Sequence, residues 1–188
     1  PAQALECINS FKILCAVNHG NYGVRGINQL AVQVLARHFG KSHAIESSMW
    51  YHGRPVLIRK NDYQLELFNG DMGVMLFDRD DPERLFAYFK GSAGEVRRIS
   101  PLRLPEHETA YAMTIHKSQG SEFDEILMVL PENDTPVLTR ELIYTGITRA
   151  RQNLSILSPE SAISLAVERR IERTSGLRDR LLVKDENQ

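Results

Sequence analysis

The chain has 188 residues, enough for one medium domain or two small ones with a real apolar core. Its 23 basic and 24 acidic side chains leave a net charge of −1, which excludes a globally basic nucleic-acid binder, so any such contact must be local. No apolar run approaches the roughly 20 residues that cross a bilayer, and no signal peptide is visible. Cys7 and Cys15 lack metal or CxxC spacing, so we expect reduced core residues of a cytoplasmic protein without a metal site or membrane contact.

The first section of the chain combines a strand pattern with a helix pattern. Phe11 to Val17 is apolar like a buried strand, and a glycine-bearing loop follows over residues 18–26. A helix is predicted from Ile27 to Phe39 and ends at Gly40. Its apolar positions share one face, namely Ile27, Leu30, Ala31, Val34 and Leu35.

The middle section, from about residue 43 to 105, changes to short strands separated by turn residues. Asn69-Gly70 is a strong hairpin signal between two of these strands. The predicted strands are Arg54–Lys60, Leu65–Phe68, Val74–Asp78, Leu85–Phe89 and Val96–Ile99. This many short strands in a short segment indicates a small barrel.

A strand followed by a donor-rich loop is predicted next. The side chains of Thr109–Ile115 alternate as a sheet strand requires. His116–Ser121 then carries many hydrogen-bond donors, and Gly120 lets the backbone approach a ligand closely, which suits a phosphate group. Glu122 is an acceptor placed where a hydroxyl, for example on a ribose, could be bound. The apolar run Ile126–Leu130 predicts a strand buried on both faces.

A helix that leads to an arginine follows. Thr139 can cap its first amide groups, and Glu141 complements the helix dipole in the first turn. Thr145 and Gly146 share the face of Arg149 and leave space for its guanidinium. Arg151 lies about 200° further around a helix, so it cannot reach the same ligand from the same face.

The chain is predicted to close with a strand and a helix. The strand covers Asn153 to Leu157 and the helix Ala162 to Ile171. The charged run Glu168–Arg173 is interpreted as a solvated helix face, with a subunit interface as the alternative. Residues from Thr174 onward are interpreted as a tail.

These residues carry a family resemblance. Tyr111–Asp124 and Leu142–Arg151 resemble motifs V and VI of superfamily 1 DNA helicases, in particular the RecD type, the alpha chain of bacterial exodeoxyribonuclease V. Ile13–Asn28, and Gly53–Tyr63 running into Leu67–Gly73, look like further blocks of the same group in the same order. The resemblance implies an α/β fold: a RecA-like P-loop NTPase second motor domain, a parallel sheet with flanking helices, with an inserted SH3-like β-barrel.

The implied domains follow from the order of these blocks. Residues 1–42 and 106–173 would form the discontinuous RecA-like motor domain, and residues 43–105 the inserted SH3-like domain. Residues 174–188 would form the C-terminal tail.

The resemblance also implies residue roles on the nucleotide side. Arg149 matches the motif VI arginine that reaches the terminal phosphate, where a cation offsets charge on the departing phosphoryl group. Gly120 and Glu122 match motif V positions that contact the phosphates and ribose. Gln119 would couple the nucleotide side to the DNA side. The alternatives without a nucleotide role are that Arg149 is a surface arginine at a helix end, Gly120 is an ordinary turn glycine and Glu122 is a solvated loop acid.

On the DNA side, Thr114, His116 and Lys117 match positions that face single-stranded DNA in the family. The motif IV loop departs from the common pattern, because Asn18, His19 and Tyr22 stand where helicases supply a second arginine. Arg25 is the first arginine of this loop. Six polar residues of the insertion could line its DNA-facing rim or be ordinary surface residues: Tyr51, Arg54, Arg59, Lys60, Asn61 and Asn69. Met49 and Trp50 are interpreted as core or domain-junction residues.

The sequence lacks one part of such a motor, a Gly-x-x-x-x-Gly-Lys-[Ser/Thr] phosphate loop. ATP with Mg²⁺ would therefore bind between this chain and a preceding ATPase domain, and the isolated chain is expected to be inactive. The implied whole is an ATP-dependent DNA helicase, travelling 5′→3′, in an exodeoxyribonuclease V complex that repairs double-strand breaks by recombination. The alternatives are a module that docks DNA or subunits without catalysis, the helicase part of a conjugative relaxase, and a stand-alone RecD-like enzyme.

Overall fold

A computed structural model describes residues 1–39 and 49–170, which form two sheets and four α-helices. The helices are α1 (Ala2–Ser10), α2 (Val24–His38), α3 (Arg140–Ile147) and α4 (Glu160–Glu168). The first sheet has the order β7-β1-β8-β9, with strands β1 (Phe11–Cys15), β7 (Ala112–Thr114), β8 (Phe123–Val129) and β9 (Ala150–Leu157). The second has the order β5-β4-β3-β2-β6, with strands β2 (Pro55–Ile58), β3 (Met72–Phe77), β4 (Leu85–Lys90), β5 (Val96–Ile99) and β6 (His107–Thr109).

The first sheet is parallel throughout and is covered on both faces. Leu14 and Met128 point to the face covered by α3 and α4, whereas Cys15 and Val129 point to the face covered by α2. Burial on both sides explains the nearly continuous apolar character of these strands. The predicted parallel sheet with flanking helices is confirmed. Among the described residues, no helix is long and apolar enough to cross a membrane.

The second sheet is antiparallel and has its own core, which includes Val56, Met75 and Phe89. One predicted strand is wrong, because Leu65–Phe68 forms a turn region with a single bridge between Asp62 and Leu67. The Asp62 carboxylate accepts the backbone amides of residues 64 and 65 at 3.0 Å, and this local turn replaces the strand ladder. No pairing joins β5 to β6 in the described part of the chain, so a closed SH3-like barrel stays a prediction.

The stretch predicted as one strand, Thr109–Ile115, is divided between the two sheets. Thr109 ends β6 and pairs with Val56, while Ala112 begins β7 beside β1. The Ala110 amide still donates to the Pro55 carbonyl at 3.0 Å, and the Tyr111 carbonyl accepts from Ile13 at 3.4 Å. The side-chain alternation is the same in both sheets, so it could not reveal the change of partner. The second sheet therefore extends a few residues beyond position 105.

Several local expectations need correction. Cys15 is buried but Cys7 is exposed, so only one of the two cysteines is a core residue. Leu30 and Val34 lie on the predicted apolar face of α2 yet remain 54% and 53% exposed. The predicted closing helix Ala162–Ile171 ends at Glu168, and Arg169 turns back to bind Asp134, so this described residue of the charged run does not lie on a helix face. Residues 40–48, 171–173 and the predicted tail 174–188 lie outside the described residues.

Candidate active site

The motif V segment runs along the whole parallel sheet. It leaves the carboxyl end of β7 at Thr114, makes one 3-10 turn at His116–Ser118, crosses β1 and enters β8 at Phe123. Cys15 pairs with both Thr114 and Val129, the last residue of β8. At about 3.3 Å per residue, Thr114 and Phe123 are therefore separated by roughly 20 Å along the strands. The segment thus has two distant ends, with Thr114 and His116 at one and Glu122 at the other.

Arg149 lies just beyond the end of α3 and joins motif VI to motif V. Its Nε donates to the Thr145 carbonyl at 3.2 Å, Nη1 to the Ser121 carbonyl at 3.1 Å and Nη2 to the Thr148 hydroxyl at 3.2 Å. Its own carbonyl accepts the Phe123 amide at 2.9 Å. Among the described residues, no carboxylate forms an ion pair with this half-buried guanidinium, so its positive charge is not neutralised by an acid.

The helix that leads to Arg149 begins as its sequence predicts but ends at Ile147, so Arg149 lies beyond it and Arg151 lies in β9. The Thr139 hydroxyl accepts the Leu142 amide at 3.3 Å, and Glu141 lies in the first turn, so the predicted cap is confirmed. Gly146 allows the helix to sit directly on the core, because a Cβ there would lie 2.7 Å from the Met128 sulfur. This close packing fixes the end of α3, and hence Arg149, against β8.

Glu122 lies at the same edge of the sheet as Arg149, but its carboxylate has a different partner. Arg151 Nε is 3.1 Å from Glu122 Oε2. A cavity of about 400 Å³ lies beside this pair, and Asp124 also lines it. Arg149 does not line that cavity among the described residues, so the structure brings the two motifs together without placing Arg149 and Glu122 in one pocket.

Gly120 and Gln119 lie between the two ends of motif V and are both exposed. Gly120 has a φ of +85°, a backbone conformation that favours glycine, and open space surrounds the position of a Cβ. Gln119 lines a cavity of about 400 Å³ with His116, Thr139 and Thr145. This amide therefore faces the motif VI helix, whereas its predicted coupling role remains a prediction.

The predicted DNA-side residues meet at the carboxyl end of β7. Thr114 is buried, and its hydroxyl accepts the Lys117 amide at 3.2 Å. Lys117 Nζ lies 2.6 Å from Glu108 Oε1 in the second sheet, so a phosphate would have to compete with that carboxylate. His116 is exposed and lines a cavity of about 620 Å³ together with His19. Ligands of open parallel sheets characteristically bind at this carboxyl edge.

Comparisons with known proteins agree with this geometry. Residues 109–157 match the family described as UvrD-like helicase C-terminal domain. The RecBCD enzyme subunit RecD of Mycobacterium tuberculosis is 40% identical over 178 residues, which are 95% of this chain and 30% of that protein. The chain belongs to the RecD-type superfamily 1 helicases, as their C-terminal part.

Two further relatives fit this assignment to the RecD type. The ATP-dependent RecD2 DNA helicase of Deinococcus radiodurans is 37% identical over 130 residues, covering 69% of this chain and 18% of that protein. A Bacteroides Pif1 helicase, crystallised with ADP-AlF3 and ssDNA, shares the fold with a TM-score of 0.53 at 17% identity, over 99% of this chain and 50% of that one. The chain thus spans about a third or less of the curated relatives.

The motif IV loop of this RecD-type chain lies at the carboxyl end of β1, away from Arg149. Gly23 is required there because a Cβ would lie 2.3 Å from the His19 carbonyl oxygen. The exposed Arg25 side chain lines a cavity of about 700 Å³ between α2 and the second sheet. Arg25 therefore does not lie beside Arg149, and no second arginine joins it from this loop.

The proposed rim of the RecD-type insertion includes one residue that is structural. Arg54 is only 6% exposed, because Nε donates to the Thr109 hydroxyl at 2.9 Å and its guanidinium lies 5.5 Å from the Trp50 ring centre. Burial lowers the pKa of Arg54 from its ordinary value. The other rim residues are half-buried or exposed, and no contact with DNA is tested for them: Tyr51, Arg59, Lys60, Asn61 and Asn69.

Sequence reasoning missed two residues that hold this RecD-type site together. The Asn28 amide donates to the Ala112 carbonyl at 3.1 Å and accepts the Ala112 amide at 2.9 Å, which pins α2 to β7. An asparagine inside an apolar helix face is a signal that could have indicated such a contact. The second missed residue is Arg151, whose partner Glu122 becomes its neighbour only when β8 and β9 pair.

Proposed function

We propose that this chain is the second motor domain of an ATP-dependent DNA helicase of the RecD type, acting as part of a longer protein. The proposal is supported by the RecD relatives and by the helicase fold of the Pif1 neighbour. The relatives named RecBCD enzyme subunit RecD suggest assembly with other exodeoxyribonuclease V subunits and a role in recombinational repair of DNA breaks. Single-stranded DNA would be the other partner, since the Pif1 neighbour was crystallised with it.

The observation that carries the proposal is the environment of Arg149. Carbonyl and hydroxyl oxygens orient its guanidinium, and among the described residues no carboxylate neutralises it. An arginine in this state is suited to an incoming anion, here the terminal phosphate of ATP. Arginines that stabilise charge in phosphoryl transfer contribute on the order of 10³ to 10⁵ in rate.

The remaining nucleotide contacts are divided between this chain and the rest of the protein. Glu122 would bind the ribose, and the backbone at Gly120 would approach the phosphates. The sequence has no phosphate loop with its lysine and hydroxyl, so Mg²⁺ and the inner phosphates would be held by another domain. The position of the half-buried Arg149 and the exposed Glu122 at one sheet edge fits a site completed by a facing domain.

The two ends of motif V provide the link to DNA. Thr114, His116 and Lys117 would hold the strand backbone, while the other end senses the nucleotide. Closure around ATP would pull the nucleotide end of motif V toward the facing domain, and hydrolysis would release it. The strength of DNA binding at the other end would therefore alternate. Travel from 5′ to 3′ is proposed from the resemblance to RecD.

The proposed domain division keeps the parallel sheet with residues 1–42 and 106–173 and the insertion with residues 43–105. The separate core of the antiparallel sheet supports a distinct inserted unit. The SH3-like form of this unit is part of the proposal, as is its use as a surface that holds the advancing strand.

The test replaces Arg149 in the full-length protein with Ala and, separately, with Lys. We expect DNA-stimulated ATP hydrolysis to fall at least 10³-fold in Arg149→Ala and nearly as far in Arg149→Lys, since an ammonium cannot reproduce the guanidinium fork. Binding of single-stranded DNA should change less than two-fold.

Arg84→Ala is the matched control, because Arg84 is an exposed arginine in an exposed ion pair with Asp81 in the connection between β3 and β4. It should hydrolyse ATP like the unchanged protein. Hydrolysis by Arg149→Ala within ten-fold of the unchanged protein would remove the proposed role of this arginine.

A further inference from the structure

The second arginine of motif VI faces the acidic end of motif V. Arg151 Nε lies 3.1 Å from Glu122 Oε2, and its Nη1 lies 3.9 Å from Asp124 Oδ1. The guanidinium therefore stands between two carboxylates that flank the first residue of β8. Arg149, two positions earlier, has none of these partners and binds carbonyl and hydroxyl oxygens instead.

The register of β8 and β9 fixes this arrangement. Phe123 pairs with Ala150, so Glu122 comes just before this pair and Arg151 just after it. The Phe123 amide also donates to the Arg149 carbonyl at 2.9 Å, which closes the sheet edge at this point. Any shift of motif VI along β9 would separate the guanidinium from the Glu122 carboxylate.

The contact is poorly suited to stabilising the fold. The side chains of Arg151 and Glu122 are 59% and 56% exposed, and exposed ion pairs contribute little to stability. The contact has a larger effect on the orientation of the Glu122 carboxylate, because Arg151 binds only its Oε2 atom. Among the described residues, Oε1 of Glu122 accepts no hydrogen bond and remains able to accept one from a hydroxyl group.

We propose that Arg151 is a positioning residue, which holds the Glu122 carboxylate oriented so that Oε1 binds the ribose hydroxyls of the nucleotide. Arg149 and Arg151 would then divide the work of motif VI, one acting on the terminal phosphate and the other on the sugar through Glu122. The inference rests on the proposed function, since it takes Glu122 to be the ribose contact. It predicts that Arg151 determines how strongly the enzyme prefers a nucleotide that has both ribose hydroxyls.

The cavity beside the pair supports a ligand of this kind. It has a volume of about 400 Å³, and Glu122, Asp124 and Arg151 line it together with Asn9 and Ser10. It contains hydrogen-bonding groups of both kinds, as a sugar requires, and it lies between α1, the second sheet and the start of β8 and β9. A ribose bound to Oε1 would thus occupy space that the fold already provides.

The experiment compares ATP with 2′,3′-dideoxy-ATP in DNA-stimulated hydrolysis by the full-length protein. In Arg151→Ala, we expect KM for ATP to rise about five-fold to ten-fold, with kcat changed less than two-fold. The ratio of kcat/KM for ATP over dideoxy-ATP should fall toward one. Arg151→Lys should keep part of this preference, because an ammonium can still pair with the carboxylate.

Arg84→Ala is again the control, as it removes an exposed ion pair of similar geometry outside the site and should leave both KM values unchanged. Glu122→Ala tests the premise separately, because it removes the acceptor. If Glu122→Ala lowers the preference for ATP and Arg151→Ala does not, the positioning role is wrong while the ribose contact stands. If Glu122→Ala leaves the preference intact, the ribose contact itself is wrong and the inference falls with it.

A double variant distinguishes positioning from an independent contact. Because Arg151 is proposed to act only through Glu122, Glu122→Ala combined with Arg151→Ala should show the same preference as Glu122→Ala alone. A further loss in the double variant would mean that Arg151 touches the nucleotide directly, which would overturn the proposed positioning role.

Discussion

Lys12 is an isolated charge in the middle of the parallel sheet. It is 2% exposed, its ammonium donates to the Ala110 carbonyl at 3.1 Å, and it lies 5.7 Å from the centre of the Phe123 ring. Burial disfavours the charged form and lowers the pKa of Lys12 from 10.5 to about 8. Stability of the fold should therefore depend on pH in the alkaline range.

The sign of this dependence follows from proton binding. Between pH 8 and 10.5 the unfolded chain keeps the Lys12 proton and the folded chain releases it, so the contribution of Lys12 to stability rises with pH in this window. The gain should be on the order of 3 kcal/mol across the window. We expect urea unfolding of Lys12→Met to lack this rise, and an identical pH profile in both proteins would contradict the prediction.

Single residues also show where sequence reasoning reached its limit. The cap at Thr139 was predictable because its partner, the Leu142 amide, lies in the next turn of the same helix. The burial of Arg54 was not, because its partner Thr109 is distant in sequence and becomes a neighbour only through the pairing of β2 with β6. Arg151 was predicted to point away from the ligand of Arg149, yet its pairing with Glu122 needed the β8–β9 register.

At the scale of elements, the side-chain pattern within a strand or helix predicted that element, but it did not predict where the chain passes from one sheet to the other. Val96–Ile99 was predicted with its observed limits, and the parallel sheet followed from apolar runs such as Ile126–Leu130. Thr109–Ile115 was predicted as one strand because β6 and β7 continue the same alternation while pairing with different sheets. Leu65–Phe68 failed because the side chain of Asp62 satisfies the backbone locally.

The contact between α3 and β8 gives a prediction at this scale. An Ala at position 146 would place its Cβ 2.7 Å from the sulfur of the fully buried Met128 and 3.4 Å from Ile115 Cδ1. Overpacking of this kind costs about 1 to 3 kcal/mol, which we expect to exceed the gain in helix propensity of about 1 kcal/mol. Gly146→Ala should therefore lower the free energy of unfolding, measured with urea.

Relief of the clash provides the control. Met128→Val removes the sulfur that the new methyl group would meet, so the double variant should lose less stability than the sum of the two single variants. Strictly additive losses would show that Gly146 matters for a reason other than this contact.

At the scale of the whole molecule, the chain carries the arginine proposed to contact a phosphate, Arg149, but no Gly-x-x-x-x-Gly-Lys-[Ser/Thr] loop. We expect the isolated 188-residue chain to hydrolyse no ATP, with or without single-stranded DNA, whereas the full-length protein does. The control is the same isolated chain carrying Arg149→Ala, which reports any contaminating hydrolase. Turnover by the unchanged chain above that background would contradict the prediction.

The crossing of motif V over the sheet has a mechanical consequence. Its ends, Thr114 and Phe123, are roughly 22 Å apart when the distance across two strand spacings is added to the distance along the strands. The backbone that connects them contains a 3-10 turn and can therefore extend to only about 26 Å. The connecting backbone is therefore extended to most of its possible length. A displacement of the Thr114 end away from β8 by more than about 4 Å could not be absorbed by this backbone and would be transmitted to the residues that carry Glu122.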